Sequence, residues 1–175
     1  QHDAVSAGDF DGPSKVYVDS LVIGDTAGGT SGTLALHLLG ADTANYPQVF
    51  ANTVDLQDNS FLEVRRSSVN GRYADGPVHY EDVATATGGA ASLTGTFTDV
   101  TTTSLFLEAD ADYSDADGTI DLDVNRVAFN DLAGLTYNQT QVASGIEATY
   151  DADPVTGLSA TNPEYASVVA SLFTY

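Results

Sequence analysis

The chain has 175 residues, with 25 Asp or Glu against five Lys or Arg, a formal charge of −20 and an isoelectric point near 4.1. Such a surface repels phosphate backbones, which argues against a nucleic-acid partner, and no apolar run nears the ~20 residues of a membrane-spanning helix. A hydrophobic content of 42%, with nine Tyr and seven Phe, argues against a disordered chain, and the absence of cysteine removes any disulfide framework.

Gln1 comes first and there is no Met, which points to a processed chain or a fragment. Residues 1–14, "QHDAVSAGDFDGPS", are small, polar and acidic and read as an N-terminal tail. "KVYVDSLVIG" then predicts one strand, or two meeting at Asp19-Ser20. The glycine-rich turn "DTAGGTSG" leads into the apolar run "TLALHLLG". Further strands are expected over 49–56, 61–66, 78–85, 92–98, 104–109 and 119–128, separated by Gly-, Asn- and Asp-rich turns.

In "SLTGTFTDV", Leu93, Gly95, Phe97 and Asp99 share one face. In "TIDLDVNRVAF", Ile120, Leu122 and Val124 share another, with a slip near Asn125-Arg126. The recurrence of short strands and acidic turns permits either an antiparallel β-sandwich or a β-solenoid.

The period changes after Asn130. Thr136 and Gln139 form a T-x-x-Q capping box, and Val142, Ile146 and Tyr150 follow at helical spacing. "DADPVTG" breaks this helix. Asn162-Pro163-Glu164 then starts a second, whose Tyr165, Val168, Val169, Leu172 and Phe173 draw a single apolar stripe. The expected organisation is a tail over 1–14, a β-solenoid over 15–130 and C-terminal capping helices over 131–175.

This order of segments resembles the C-terminal stretch of autotransporter passenger domains, the secreted part of type V secretion proteins. The matching positions are Tyr113, Asp117-Gly118, Leu122, Val124, Arg126, Phe129, Leu132-Ala133, Thr136, Asn138-Gln139 and Val142-Ala143. Upstream, "DSLVIGDTAGGTSGTLAL" is similar to the passenger pattern of a D-x-L-V-I strand, a glycine turn and a T-x-L strand. Tyr137 stands where the family usually has Pro, and no barrel strands follow residue 175 within this sequence. The resemblance implies a right-handed parallel β-helix ending in a cap-like folding module, and an extracellular, cell-surface location.

For chemistry, "DADYSDADGTID" offers Asp110, Asp112, Asp115, Asp117 and Asp121 around Gly118. Oxygen-rich loops turning on a glycine suit Ca²⁺, the one cofactor the sequence offers, although Tyr113 and Val124 occupy the first and twelfth ligand positions. The competing reading is a solvated Asp-Gly hairpin turn. His2, His37 and His79 are the three imidazoles. His37 lies in an apolar run, and His79 has Glu81 and Asp82 beside it without any nucleophile signature. Arg65, Arg66 and Arg72 could receive an acidic neighbour in this chain or in another copy.

The expectation is therefore a non-enzymatic structural or adhesive surface protein that displays or spaces, self-assembling into an oligomer or filament through sheet edges or the apolar terminal helix. Host or cell-surface glycans are candidate ligands. The alternatives are a calcium- or carbohydrate-binding sandwich module and a polysaccharide-active β-helix enzyme.

Overall fold

The computed structural model describes residues 10–11, 14–26, 29–38, 42–66, 73, 76–114 and 116–151. Within them lie ten strands: β1 (Phe10–Asp11), β2 (Lys15–Ile23), β3 (Gly32–Leu38), β4 (Gln48–Leu56), β5 (Ser60–Arg66), β6 (Val78–Ala86), β7 (Leu93–Thr94), β8 (Asp99–Thr102), β9 (Leu107–Ser114) and β10 (Thr119–Arg126). A 3-10 turn at Ala90–Ser92 precedes β7, and the helix α1 (Tyr137–Asp151) follows the last strand.

The strands form two sheets. One has the order β1-β3-β5-β8, and the other β2-β4-β6-β10-β9 with β7 also paired to β4. From β1 to β6 the chain alternates between the sheets, and each strand lies parallel to the one two places before it. Antiparallel pairing is confined, among the described residues, to β6–β10 and β10–β9. The all-antiparallel sandwich expected as an alternative is therefore not the pairing found; the protein is all-β with mixed sheets and a C-terminal helix.

Register explains the stability of this arrangement, because like side chains stack on like. Val16, Val49 and Ala84 lie side by side, as do Leu21, Val54 and Leu93 in one sheet and Leu34, Leu62 and Val100 in the other. Inward residues of both sheets, among them Leu36, Leu38, Leu62, Tyr80, Ile120 and Leu122, form one core cluster. Each such aliphatic side chain removed from water contributes about 1.5–3 kcal/mol.

β2 is one strand, yet its inward side changes at Asp19-Ser20, where two consecutive residues are exposed. The same slip recurs in register at Asn52-Thr53 of β4. One layer further on, the chain leaves the sheet at this position. Thr87 and Gly88 donate to the carbonyls of Ala51 and Asn52, and the strand resumes as β7 beside Val54. The corner that follows is equally repetitive. Gly24 sits at φ +90° with Asp58 O only 2.4 Å from where a Cβ would stand, and Gly95 at φ +75° with Leu56 O at 1.9 Å. Only glycine fits such an approach in the left-handed region.

Several boundaries differ from the expected ones. Phe10–Asp11 pairs with β3 inside the stretch read as tail. The strand expected over 92–98 is the short β7; residues 95–97 lie outside any strand, and a separate β8 follows on the other sheet. The strand expected over 104–109 begins at Leu107 and runs to Ser114. The slip near Asn125-Arg126 is where β10 ends. The second helix, expected from Asn162, lies outside the described residues.

Candidate functional site

The alternation of β10 sends Ile120, Leu122 and Val124 into the core and Asp121 and Asp123 outward. β9 does likewise, burying Leu107 and Ala109 and exposing Glu108, Asp110 and Asp112. Pairing places Asp121 opposite Asp112, and Asp123 opposite Asp110. Asp110, Asp112 and Asp121 thus share one hairpin face, whereas Asp117 sits in the turn, where its carboxylate accepts the Ser114 hydroxyl at 3.0 Å. Asp115 lies outside the described residues.

The connecting turn is built on Gly118, at φ +73°. Tyr113, at the position expected for a first ligand, accepts the Phe97 N–H through its hydroxyl at 2.9 Å, and Val124 is fully buried. Among the described residues, no group of three or more His, Cys, Asp or Glu is placed to hold a metal ion.

A tighter polar constellation forms where β6 meets β10. Ile120 faces Ala84 and Leu122 faces Tyr80, so Glu81, Asp82 and Val83 together oppose Asp121. This bulge holds Asp82 at φ +54°, a conformation few non-glycine residues adopt. It is fixed from both sides. The Asp82 N–H donates to Asp121 Oδ1 at 2.7 Å, the Gln48 amide donates to the Asp82 carbonyl at 3.3 Å, and the Tyr46 hydroxyl donates to the Glu81 carbonyl at 2.5 Å. Burial, with the nearby carboxylates of Asp82, Glu81 and Asp121, holds the Tyr46 phenol above its ordinary pKa, so it stays protonated and donating.

His79 borders the bulge with about half its side chain exposed. Its Nδ1 lies 2.7 Å from Asp123 Oδ1, and its Nε2 3.8 Å from Asp121 Oδ2. The hydrogen bond to Asp123 raises the imidazole pKa, and the charges of Asp123, Asp121 and Glu81 add to it against a smaller opposing effect of desolvation. Both ring nitrogens face carboxylates. The group can therefore hold a proton and tie β6 to β10, which is not the disposition of a base aimed at a nucleophile. Of the other sites read from the sequence, His37 is half-buried opposite Arg65, whose guanidinium contacts Glu63. His2 and Arg72 lie outside the described residues.

The sheet–helix junction carries a second constellation, which the sequence reading missed. Arg126, at the end of β10, makes a bidentate pair with Glu147 of α1, at 3.0 and 2.5 Å. Glu147 also accepts the Phe129 N–H at 2.8 Å. The guanidinium lies 4.6 Å from the centre of the Tyr150 ring, and the Tyr150 hydroxyl donates to the Tyr73 carbonyl at 2.6 Å. One signal was present: Ala143, Glu147 and Tyr150 fall at i, i+4 and i+7, which puts an acid on the packing face of the helix.

Beside this junction is an apolar hollow of about 370 Å³, lined by Phe106, Phe129, Leu132 and Leu135 and by Val142 and Ile146 of α1. Leu105, Tyr137 and Val142 are 72%, 78% and 65% exposed. Compared with protein-family models, curated proteins and solved structures, the chain matched none.

Proposed function

We propose that this chain is a non-enzymatic structural segment of an extracellular surface protein, built as a parallel β-solenoid that displays or spaces, in the manner of an autotransporter passenger domain. The observation that carries the reading is the stacking. Strands from β1 to β6 alternate between two sheets, with parallel neighbours in register and repeated corners at Gly24 and Gly95. Inward residues of the two sheets share one core, and along each sheet like side chains stack from strand to strand, which is the logic of a repeat that spans distance.

The antiparallel β9–β10 hairpin and α1 then stand as the C-terminal cap. A surface of charge −20 suits a module kept apart from its neighbours in solution. Self-assembly belongs to the same reading, because among the described residues β2 ends its sheet on one side, with nine residues of backbone along that side.

A glycan-binding role has one observation in its favour. Tyr17, 71% exposed, stacks on Phe50 at 5.0 Å, with Lys15 5.5 Å over the Phe50 ring, which makes an aromatic platform on the outer sheet face.

The test uses intact cells of the organism that makes the chain. Antibodies against it should label the unpermeabilised surface, and external protease should remove the label. A protease-resistant, internal pool alone would overturn the reading. In parallel, binding of Tyr17→Ala and the parent chain to a glycan array separates a glycan platform from a plain spacer.

A further inference from the structure

We propose that the outer face of β2 and β4 around Tyr17 and Phe50 binds a neutral hexopyranose, at the end or inside a polysaccharide chain. The proposal deepens the glycan reading above and rests on it. The outer face of the longer sheet falls into two unlike strips. Over β6, β10 and β9 it carries Glu81, Asp121, Asp123, Asp110 and Asp112 with His79. Over β2 and β4 the charge is sparse and balanced. Lys15 and Asp19 stand two places to either side of Tyr17, and Asn52 stands two places beyond Phe50, so a cation, a carboxylate and an amide flank the ring pair. In the next row the Thr53 hydroxyl donates to the Ser20 hydroxyl at 3.0 Å.

The rings supply a one-sided platform. Phe50 covers one face of Tyr17, with 5.0 Å between centres and 16° between planes, and the Lys15 ammonium stands 5.5 Å from the Phe50 centre. Among the described residues β2 is the last strand on that side, so the second face of Tyr17 looks past the sheet, and the residue is largely exposed. A neutral pyranose matches a flat ring with a polar rim. Its C–H bonds gather on one face, where their slightly positive hydrogens meet the negative face of the aromatic ring, and its hydroxyls lie around the edge. Lys15 and Asp19, about 6–7 Å to either side along the strand, meet those hydroxyls as donor and acceptor. A planar aromatic ligand would stack equally well but use neither group. An anionic sugar meets a chain of charge −20, and a protein partner of ordinary size, ~800 Å² a side, would spread onto the acidic strip.

Saturation-transfer NMR of the full chain with methyl glucoside and with methyl galactoside tests the site. Signal should pass to the C–H protons of the sugar, most strongly to those of one ring face. Tyr17→Phe keeps the ring and should keep the signal. Tyr17→Ala should weaken binding about tenfold or more without changing the circular dichroism. Glucuronate, the charged analogue, should bind less well than the glucoside. Binding that survives Tyr17→Ala would overturn the site while leaving a glycan-binding role elsewhere on the chain, and glucuronate binding as well as the glucoside would overturn the neutral-sugar assignment. No transfer to either glycoside alongside a positive glycan array would overturn this proposal alone, and a blank array as well would remove the glycan reading with it. A parent chain that dimerises in light scattering through Tyr17, with Tyr17→Ala monomeric and no sugar bound, would overturn the proposal in favour of a second copy.

Discussion

Removing the carboxylate of Glu147 perturbs the junction most selectively. Arg126 and Glu147 retain 2% and 11% side-chain exposure, and among the described residues the carboxylate accepts hydrogen bonds from the guanidinium at both oxygens and from Phe129 N. Breaking one side of a buried pair costs about 3–5 kcal/mol, because the other charge stays desolvated. Here the Tyr150 and Phe129 rings, 4.6 and 5.9 Å from the guanidinium, retain part of its stabilisation. The expectation for Glu147→Ala is thus about 3 kcal/mol, at the lower end of that range. Glu147→Gln keeps one acceptor and should cost about half as much. The double replacement R126M/E147L removes both charges at similar volume and leaves the Phe129 N–H without its acceptor, so it should cost about 1–2 kcal/mol, less than Glu147→Ala.

Urea unfolding followed by far-UV circular dichroism and by tyrosine fluorescence measures all three. A loss confined to α1 would appear as a helical transition ahead of the sheet transition, with a lower apparent m-value. Glu147→Ala costing under about 1 kcal/mol in either transition would refute the argument, since a desolvated cation that loses its carboxylate cannot be that well tolerated.

Gly95→Ala places a Cβ 1.9 Å from Leu56 O at φ +75°, so the corner must shift; a loss of about 3 kcal/mol or more is expected by urea melt, and Gly89→Ala, which meets nothing within 4 Å, should cost only the ~1–2 kcal/mol of its positive φ. The His79 pKa, followed by NMR of its ring protons, should lie above the unfolded value of about 6.5 and return toward it in Asp123→Asn. Because the folded pKa is the raised one, the stability that this pair contributes is complete below about pH 6.5 and fades as pH rises through the folded value; for a half-exposed pair it should stay under about 1 kcal/mol. If the Asp110–Asp123 face only screens and does not ligate, Ca²⁺ and Mg²⁺ at equal concentration should raise the melting temperature equally, and a Ca²⁺-specific rise would show a true ligand set. Light-scattering mass should grow with salt over roughly 0.05–1 M as repulsion between copies is screened, and a mass independent of salt would remove edge-to-edge assembly.

The regular parts of the fold were legible because they depend on local pattern. β3, β4, β5, β6 and β10 fall within a residue or two of their expected bounds, since apolar runs and Gly or Asp turns mark them. α1 begins where its capping box placed it, with the Thr136 N–H and hydroxyl both donating to Gln139 Oε1. The region 92–114 was misjudged because its residues answer to neighbours far away in sequence. β7 exists through Val54 and Asp55, β8 through Phe61 to Val64, and the residues between them must cross from one sheet to the other. Alternation in "SLTGTFTDV" cannot reveal that crossing. For the polar sites, the Asp-Gly turn was readable, but Asp123 as the partner of His79 depends on a register set by a bulge at Glu81–Val83. Such a bulge has no local signature in "HYEDV".

The two ends of the longer sheet are chemically unequal, and this bears on how copies could meet. Among the described residues, β2 closes one end with a single Lys and a single Asp among nine residues. β9 closes the other with Glu108, Asp110 and Asp112 exposed along eight. Two successive reversals, β6 to β10 and β10 to β9, bring β9 back parallel to β2, so the backbone direction at each end would permit head-to-tail stacking. The side chains oppose it, because charges lining an edge strand are a common device against strand addition. A filament joined through these two sheet ends would seat β2 beside that acidic edge in every repeat, and each repeat adds another −20. Pairing β2 with β2 avoids the acidic edge and closes after two copies, since a two-fold contact leaves no free end of the same kind. If copies meet through these sheet ends, low salt should favour monomer or closed dimer, and open polymers should form only once the carboxylates of β9 are screened or protonated.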